Sequence, residues 1–220
     1  MMSFGKSRHK SKRSPVPAIQ LGNLDKVVAN ILLVVCSAWA LRENGGYQQD
    51  RAVAAVTFST CLIHAVAGVV RYGNPQYGES LRSIYQNTAY FCLTIAPSFY
   101  AAQLSLMYHT AQEYAAFLVL FTFGTIACHY LLMMCRNVKS PEVEGSDLAL
   151  IRLIIFLSLG LIFVLSYLKL NYYGITSGLV FSYFFFYPRV AGTICNMPTI
   201  NLFLIQLAFF NFNAMRSLRD

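Results

Sequence analysis

Charged residues are scarce in this sequence of 220 amino acids, where they make up 12% of the chain. Soluble globular proteins carry about twice that share, roughly 25%. Apolar residues make up 56%, and they fall in long, nearly uncharged runs that a water-soluble surface could not cover. The aromatic content of 15% also excludes an intrinsically disordered chain, because such chains have too little apolar surface to bury. The composition therefore predicts an integral membrane protein with almost no soluble mass.

Acidic residues are the scarcest charged class, with nine Asp and Glu in the whole chain. All nine lie in predicted tails, loops or helix ends, so no carboxylate is expected beside a buried histidine. Hydrolytic dyads, carboxylate-rich metal centres and ion-coupled transport commonly use carboxylates inside a protein. The sequence also lacks the motifs of nucleotide-binding loops, nucleophile elbows and zinc proteases. We therefore expect no catalytic residues and no cofactor, and the balance is against an enzyme.

The six cysteines lack the spacing of a disulfide framework or of a zinc ribbon. Each falls in or beside a predicted membrane span, and none lies in a predicted outer loop. The one metal arrangement open to them combines Cys61 and His64 with Cys128 and His129. Since the last two are adjacent and point about 100° apart on a helix, only one could contribute readily, and we expect no metal.

Seven predominantly apolar stretches have the character of membrane helices, which need about 20 apolar residues to cross a bilayer. They lie near residues 27–41, 52–70, 83–108, 114–135, 148–168, 172–187 and 198–215. The first and sixth are short, and the last contains three amides. The expected fold is therefore an all-α integral membrane protein, a bundle of about seven transmembrane helices, with six plus one interfacial helix as the open alternative. Residues 1–22 are expected to form a disordered basic cytoplasmic tail, and residues 23–220 a single polytopic domain.

The distribution of lysine and arginine predicts the orientation of the chain. With the amino terminus in the cytoplasm, the inner segments hold twelve basic residues and the outer segments five, as the positive-inside rule favours. The net charge of +8 comes largely from the tail, with no folded module behind it, so nucleic acid is not an expected partner. The expected partners are membrane lipids and other membrane proteins.

An internal self-match links the second and fourth predicted helices. Four residues of the second helix, namely Thr57, Thr60, His64 and Arg71, recur at one offset of sixty-five as Thr122, Thr125, His129 and Arg136. The match suggests parallel repeats of a two-helix unit, over residues 23–75 and 80–141, with coincidence as the alternative. Polar groups in hydrocarbon are costly and turn inward, so these eight residues are the candidates for a polar core or a ligand site.

Several interpretations of these residues stay open. The histidines could be neutral members of a polar core, or they could line a cavity that binds a ligand or relays protons. The arginines could anchor helix ends or bind lipid phosphate or another anion. The first functional hypothesis is a non-enzymatic scaffold, assembly factor or lipid-associated protein. The alternatives are a small transporter or channel, with a polar path between the second and fourth helices, and a lipid-modifying enzyme that uses His64 and His129.

Overall fold

The computed structural model describes residues 21–45, 51–74, 78, 80–109, 112–136, 145–186, 193–194 and 197–219. Over these residues the chain forms seven helices and one pair of two-residue strands. The elements in chain order are α1 (Leu21–Glu43), α2 (Ala52–Gly73), α3 (Arg82–Met107), α4 (Gln112–Arg136), α5 (Gly145–Leu168), α6 (Tyr172–Phe186), β1 (Thr193–Ile194), β2 (Met197–Pro198) and α7 (Thr199–Ser217). Residues 1–20 of the predicted basic tail lie outside the described residues.

The helical class is confirmed, and the described residues form seven helices, one on each predicted apolar stretch. Two details differ from expectation. The first helix is not short: α1 has 23 residues, because its polar first turns, with Asp25 and Lys26, continue the apolar stretch. The antiparallel pairing of β1 with β2 between α6 and α7 was not expected in an all-α chain.

Four helices of the described chain are long and apolar enough to cross a membrane. These are the segments Asn23–Glu43, Ala52–Gly73, Gln112–Leu132 and Ala149–Leu168, in α1, α2, α4 and α5. Large apolar side chains such as Leu120, Leu131 and Phe156 are exposed on them. An exposed oily face of this kind is typical of helices that contact lipid. The four helices therefore support a helical bundle inserted in a membrane.

The third helix lies in the interior of the bundle. It packs against α2, α4 and α5, and its buried side chains run from Tyr85 to Ser105. Because protein surrounds it, α3 carries hydroxyl and amide side chains that would be costly against lipid. This burial explains why α3 has a lower hydropathy than the four apolar spans and is not one of them.

Helices that follow one another in the chain run antiparallel, which gives the bundle two distinct ends. Ala54 at the start of α2 donates its backbone N–H to Gln103 near the end of α3, while His64 near the end of α2 contacts the first turns of α3. We call the end at which α1 begins the histidine end, because His64 and His129 both lie toward it. The last helix packs against the first: α7 runs parallel to α1, and the Asn211 amide donates a hydrogen bond of 2.8 Å to the Ser37 hydroxyl.

Candidate functional site

His64 is fully buried between α2, α3 and α7. Its Nδ1 lies 3.0 Å from the Thr88 hydroxyl oxygen, and its ring stacks on Tyr85 with 4.5 Å between centroids. Phe203 of α7 covers it at 6.0 Å. An imidazole that a hydroxyl and two aromatic rings hold in this way is fixed in orientation.

The hydrogen bonds around Thr88 bear on the tautomer of His64. The Thr88 hydroxyl donates its one proton to the carbonyl oxygen of Tyr85, at 3.0 Å. With its proton directed there, the hydroxyl accepts from His64 and the neutral ring carries its proton on Nδ1; the other tautomer would direct the Thr88 proton to Nδ1 instead. The Nε2 atom, on the far side of the ring, is buried with no hydrogen-bond partner in the described chain.

Two cations and two tyrosines continue from His64 toward the histidine end; we call Lys26, Arg71, Tyr72 and Tyr85 the Tyr72 cluster. The Arg71 guanidinium carbon lies 5.0 Å from the centroid of each tyrosine ring, and Lys26 Nζ lies 5.1 Å from that of Tyr72. The two tyrosine rings meet edge to face at 5.4 Å. Both cations are thus in cation–π range of an aromatic face.

His129 stacks on a different tyrosine of α3. Its ring lies 4.3 Å from that of Tyr90 and meets Tyr130 of its own helix edge to face at 5.6 Å. Tyr85 and Tyr90 are five residues apart, so they leave α3 in directions about 140° apart. The structure therefore does not bring the two histidines into one site, because α3 lies between the helices that carry them.

In the two suggested repeat units, the matched histidines His64 and His129 do not contact corresponding helices. His129 contacts α3, its partner helix in the unit 80–141, whereas His64 contacts α3 from the other unit. The position matched to Met133 is Gly68, where a Cβ atom would overlap the Asn30 side chain of α1. The duplication stays a prediction from the sequence.

The four candidate threonines are hydrogen-bonded within the helices. Thr60, Thr122 and Thr125 each donate to the carbonyl four residues earlier in their own helix, at 2.7–2.9 Å. Thr57 alone of the four reaches another helix, donating to the carbonyl of Ala96 at 3.4 Å. These hydroxyls are used in the helices and do not extend either histidine site. The side chain of Arg136, the eighth candidate, lies outside the described part of the chain.

Hydroxyls and amides join the helices at the opposite end of the bundle. The buried Tyr100 hydroxyl contacts Ser217 of α7 and accepts from Ser177 of α6 at 3.1 Å. Asn171 donates to the Tyr108 hydroxyl at 2.7 Å and to the carbonyl of Ser217 at 2.8 Å. This network ties α3, α6 and α7 together. Among the described residues, His, Cys, Asp and Glu do not gather in groups of three that could hold a metal ion.

The residues that sequence reasoning missed are the aromatic partners of the candidates, Tyr72, Tyr85 and Tyr90. A signal for the last two was present, because the run 83–108 is long and uncharged yet rich in hydroxyls and amides. An uncharged polar run of this length is typical of a helix enclosed by protein. No protein-family model, curated protein or solved structure matches this chain.

Proposed function

We propose that this chain is a non-enzymatic, multi-pass membrane protein that acts as a scaffold for lipids and other membrane proteins. In this proposal all seven helices cross the bilayer and the histidine end faces the cytoplasm. The observation that supports it best is the nature of the buried polar groups: in the described chain they are amides, hydroxyls and two imidazoles, with no carboxylate and no cation among them.

These polar groups support the proposal because they connect helices to one another. Asn211 bonds Ser37 between α7 and α1, and the Ser158 hydroxyl bonds Ser98 between α5 and α3 at 3.1 Å. Hydrogen bonds between membrane helices fix their packing. A path for a solute would instead need polar groups that face a shared passage and are free to exchange partners.

The lipid-modifying alternative has one observation in its favour, the hydroxyl of Thr88 beside His64. A histidine can activate a hydroxyl nucleophile only by accepting its proton. In the tautomer with the proton on Nδ1, the Thr88 proton goes to the carbonyl of Tyr85 and His64 is the donor, which is the reverse of that requirement. The arrangement favours a structural role for the pair.

Reconstitution of the full chain in liposomes tests the proposal. We expect proton flux, release of a small trapped dye and the lipid composition, followed by mass spectrometry, to match those of protein-free liposomes. The control is the double variant His64→Gln and His129→Gln, which should match the wild type in all three assays. A flux or a new lipid species that the wild type produces and the double variant does not would overturn the proposal.

A further inference from the structure

Two polar atoms lie buried without a partner where α1, α2 and α3 come together near the histidine end. They are Oδ1 of Asn30 and the hydroxyl oxygen of Tyr85, and neither makes a hydrogen bond among the described residues. Unpaired polar atoms are costly inside a protein, and a bound molecule commonly supplies the missing partner. The two atoms therefore indicate a small binding site.

The side of the site on α1 is a hydrogen-bond acceptor. Asn30 donates an Nδ2 proton to the backbone carbonyl of Lys26 at 2.7 Å, which fixes the orientation of the amide and leaves Oδ1 on its other side. That oxygen lies over Gly68 of α2, 2.0 Å from the position that a Cβ atom would occupy. Glycine thus makes the room into which Asn30 extends, and the oxygen can be satisfied only by a donor.

The side of the site on α3 is a hydroxyl whose ring is held in place. The Tyr85 ring stacks on His64 with 4.5 Å between centroids, and the Arg71 guanidinium carbon lies 5.0 Å from the Tyr85 centroid. The Tyr85 hydroxyl neighbours the amide of Asn30 and the hydroxyl of Tyr72, but it is not hydrogen-bonded directly to either. Polar groups that are neighbours without a direct hydrogen bond are suited to a bridging water.

The charges around the site disfavour an ion as its occupant. A cation would be repelled by Arg71 and by Lys26, whose Nζ lies 5.1 Å from the centroid of the Tyr72 ring. A bare anion has no proton to donate to Oδ1 of Asn30. A neutral molecule that both donates and accepts meets the demands of both unpaired atoms, and the close packing of Asn30 on Gly68 favours the smallest one.

We propose that Asn30 and Tyr85 bind a buried water molecule, which donates one proton to Oδ1 of Asn30 and accepts the hydroxyl proton of Tyr85. The Tyr72 hydroxyl accepts the second proton of the water, which gives the three hydrogen bonds usual for a buried water. The water joins α1 to α3 across Gly68 and adds to the packing of the histidine end. The inference does not depend on the proposed function, since one enclosed water fits a scaffold, a transporter or an enzyme equally.

The test is X-ray hydroxyl-radical footprinting of the purified full chain in micelles, followed by mass spectrometry of its peptides. Radicals formed from a bound water oxidise the side chain beside it, even where bulk solvent does not reach. We expect Tyr85 to gain oxygen several-fold faster than Tyr100, which is also buried but whose hydroxyl is bonded to Ser177 and Ser217. A Tyr85 as protected as Tyr100 would overturn the site.

Transfer of the wild type into heavy-oxygen water separates a bound water from bulk solvent without any substitution. The oxygen that Tyr85 gains should become heavy later than the oxygen gained by Tyr172, which is strongly exposed, because an enclosed water exchanges slowly. Equal rates of heavy-oxygen uptake at the two tyrosines would show that bulk solvent reaches Tyr85, and the proposal would fail.

Asn30→Leu removes the acceptor at nearly constant side-chain shape, and it should lower the oxidation rate of Tyr85 to that of Tyr100. The matched control is Asn213→Leu, because Asn213 also donates to the carbonyl four residues earlier in its helix but lies toward the opposite end. The control should leave the Tyr85 rate unchanged, and a low Tyr100 rate in both variants shows that they are folded. An undiminished Tyr85 rate in Asn30→Leu, or an equal decrease in both variants, would contradict the site. The two wild-type comparisons decide the matter if Asn30→Leu does not fold.

Discussion

A hydrogen-bonding atom enclosed in the bundle must find its partner there, since lipid offers none. His64 meets this demand on one side of its ring through Thr88, while Nε2 on the other side has no partner among the described residues. The stacking on Tyr85 adds an attraction that does not depend on a donor. A buried imidazole of this kind fits a packing role better than proton transfer.

Replacement of Thr88 by valine tests this assignment at the level of one hydrogen bond. Valine keeps the shape of threonine but removes the hydroxyl that is hydrogen-bonded to Nδ1 of His64, so we expect a loss of about 1 kcal/mol in unfolding free energy. The measurement is reversible unfolding of the purified protein in mixed micelles. Thr125→Val is the control, because its hydroxyl bonds only its own helix, and it should cost less. Equal losses in the two variants would contradict the assignment.

The sequence predicted where the helices lie but not which partners the candidate residues have. The cost of polar groups in hydrocarbon placed His64 and His129 on inward faces, and both are buried as expected. The pattern could not show that α3 separates them, because the neighbours of a helix depend on packing between segments far apart in the chain. Tyr85 and Tyr90 belong to that neighbouring helix, so the repeated motif contained no signal for them.

At the scale of elements, α3 shows why hydropathy alone undercounts helices in a bundle. An apolar surface is required only where a helix faces lipid, and the interior tolerates polar groups that are hydrogen-bonded. Ser98, Thr94 and Ser105 of α3 all donate to carbonyls of their own helix, and Ser98 also accepts from α5. Low hydropathy here therefore reflects enclosure by the other helices.

The close approach of α1 and α2 depends on the missing side chain at Gly68. A Cβ atom there would overlap the amide of Asn30, so Gly68→Ala must either displace that buried side chain or push the two helices apart. We expect a loss of about 1–3 kcal/mol, the usual cost of overpacking a tight contact. The measurement is again unfolding in mixed micelles.

Gly124→Ala is the matched control, because an added Cβ in α4 meets no atom within 4 Å. Its stability should stay the same or rise slightly, since alanine favours helix over glycine. A Gly68→Ala variant as stable as the Gly124→Ala variant would contradict a fixed contact between Gly68 and the Asn30 side chain.

At the scale of the whole molecule, the two ends of the bundle differ in chemistry. Among the described residues, Lys26 and Arg71 at the histidine end have no carboxylate partner, whereas Arg219 pairs with Glu43 at the opposite end. Excess positive charge at one end is what the positive-inside rule associates with the cytoplasmic face. The side chains that pack α7 parallel to α1, such as Trp39 on Phe212 at 5.4 Å, fit a final helix that runs the full depth of the bundle.

The most direct measurement is the sidedness of the two chain ends in microsomal membranes, because seven crossings place them on opposite faces and six place them on the same face. The chain itself has no glycosylation sequon, so an acceptor fused before Met1 or after Asp220 reports without background. We expect the acceptor after Asp220 to be glycosylated and the one before Met1 to stay unmodified. An unmodified acceptor after Asp220, or a glycosylated one before Met1, would contradict a seven-helix bundle with its histidine end in the cytoplasm.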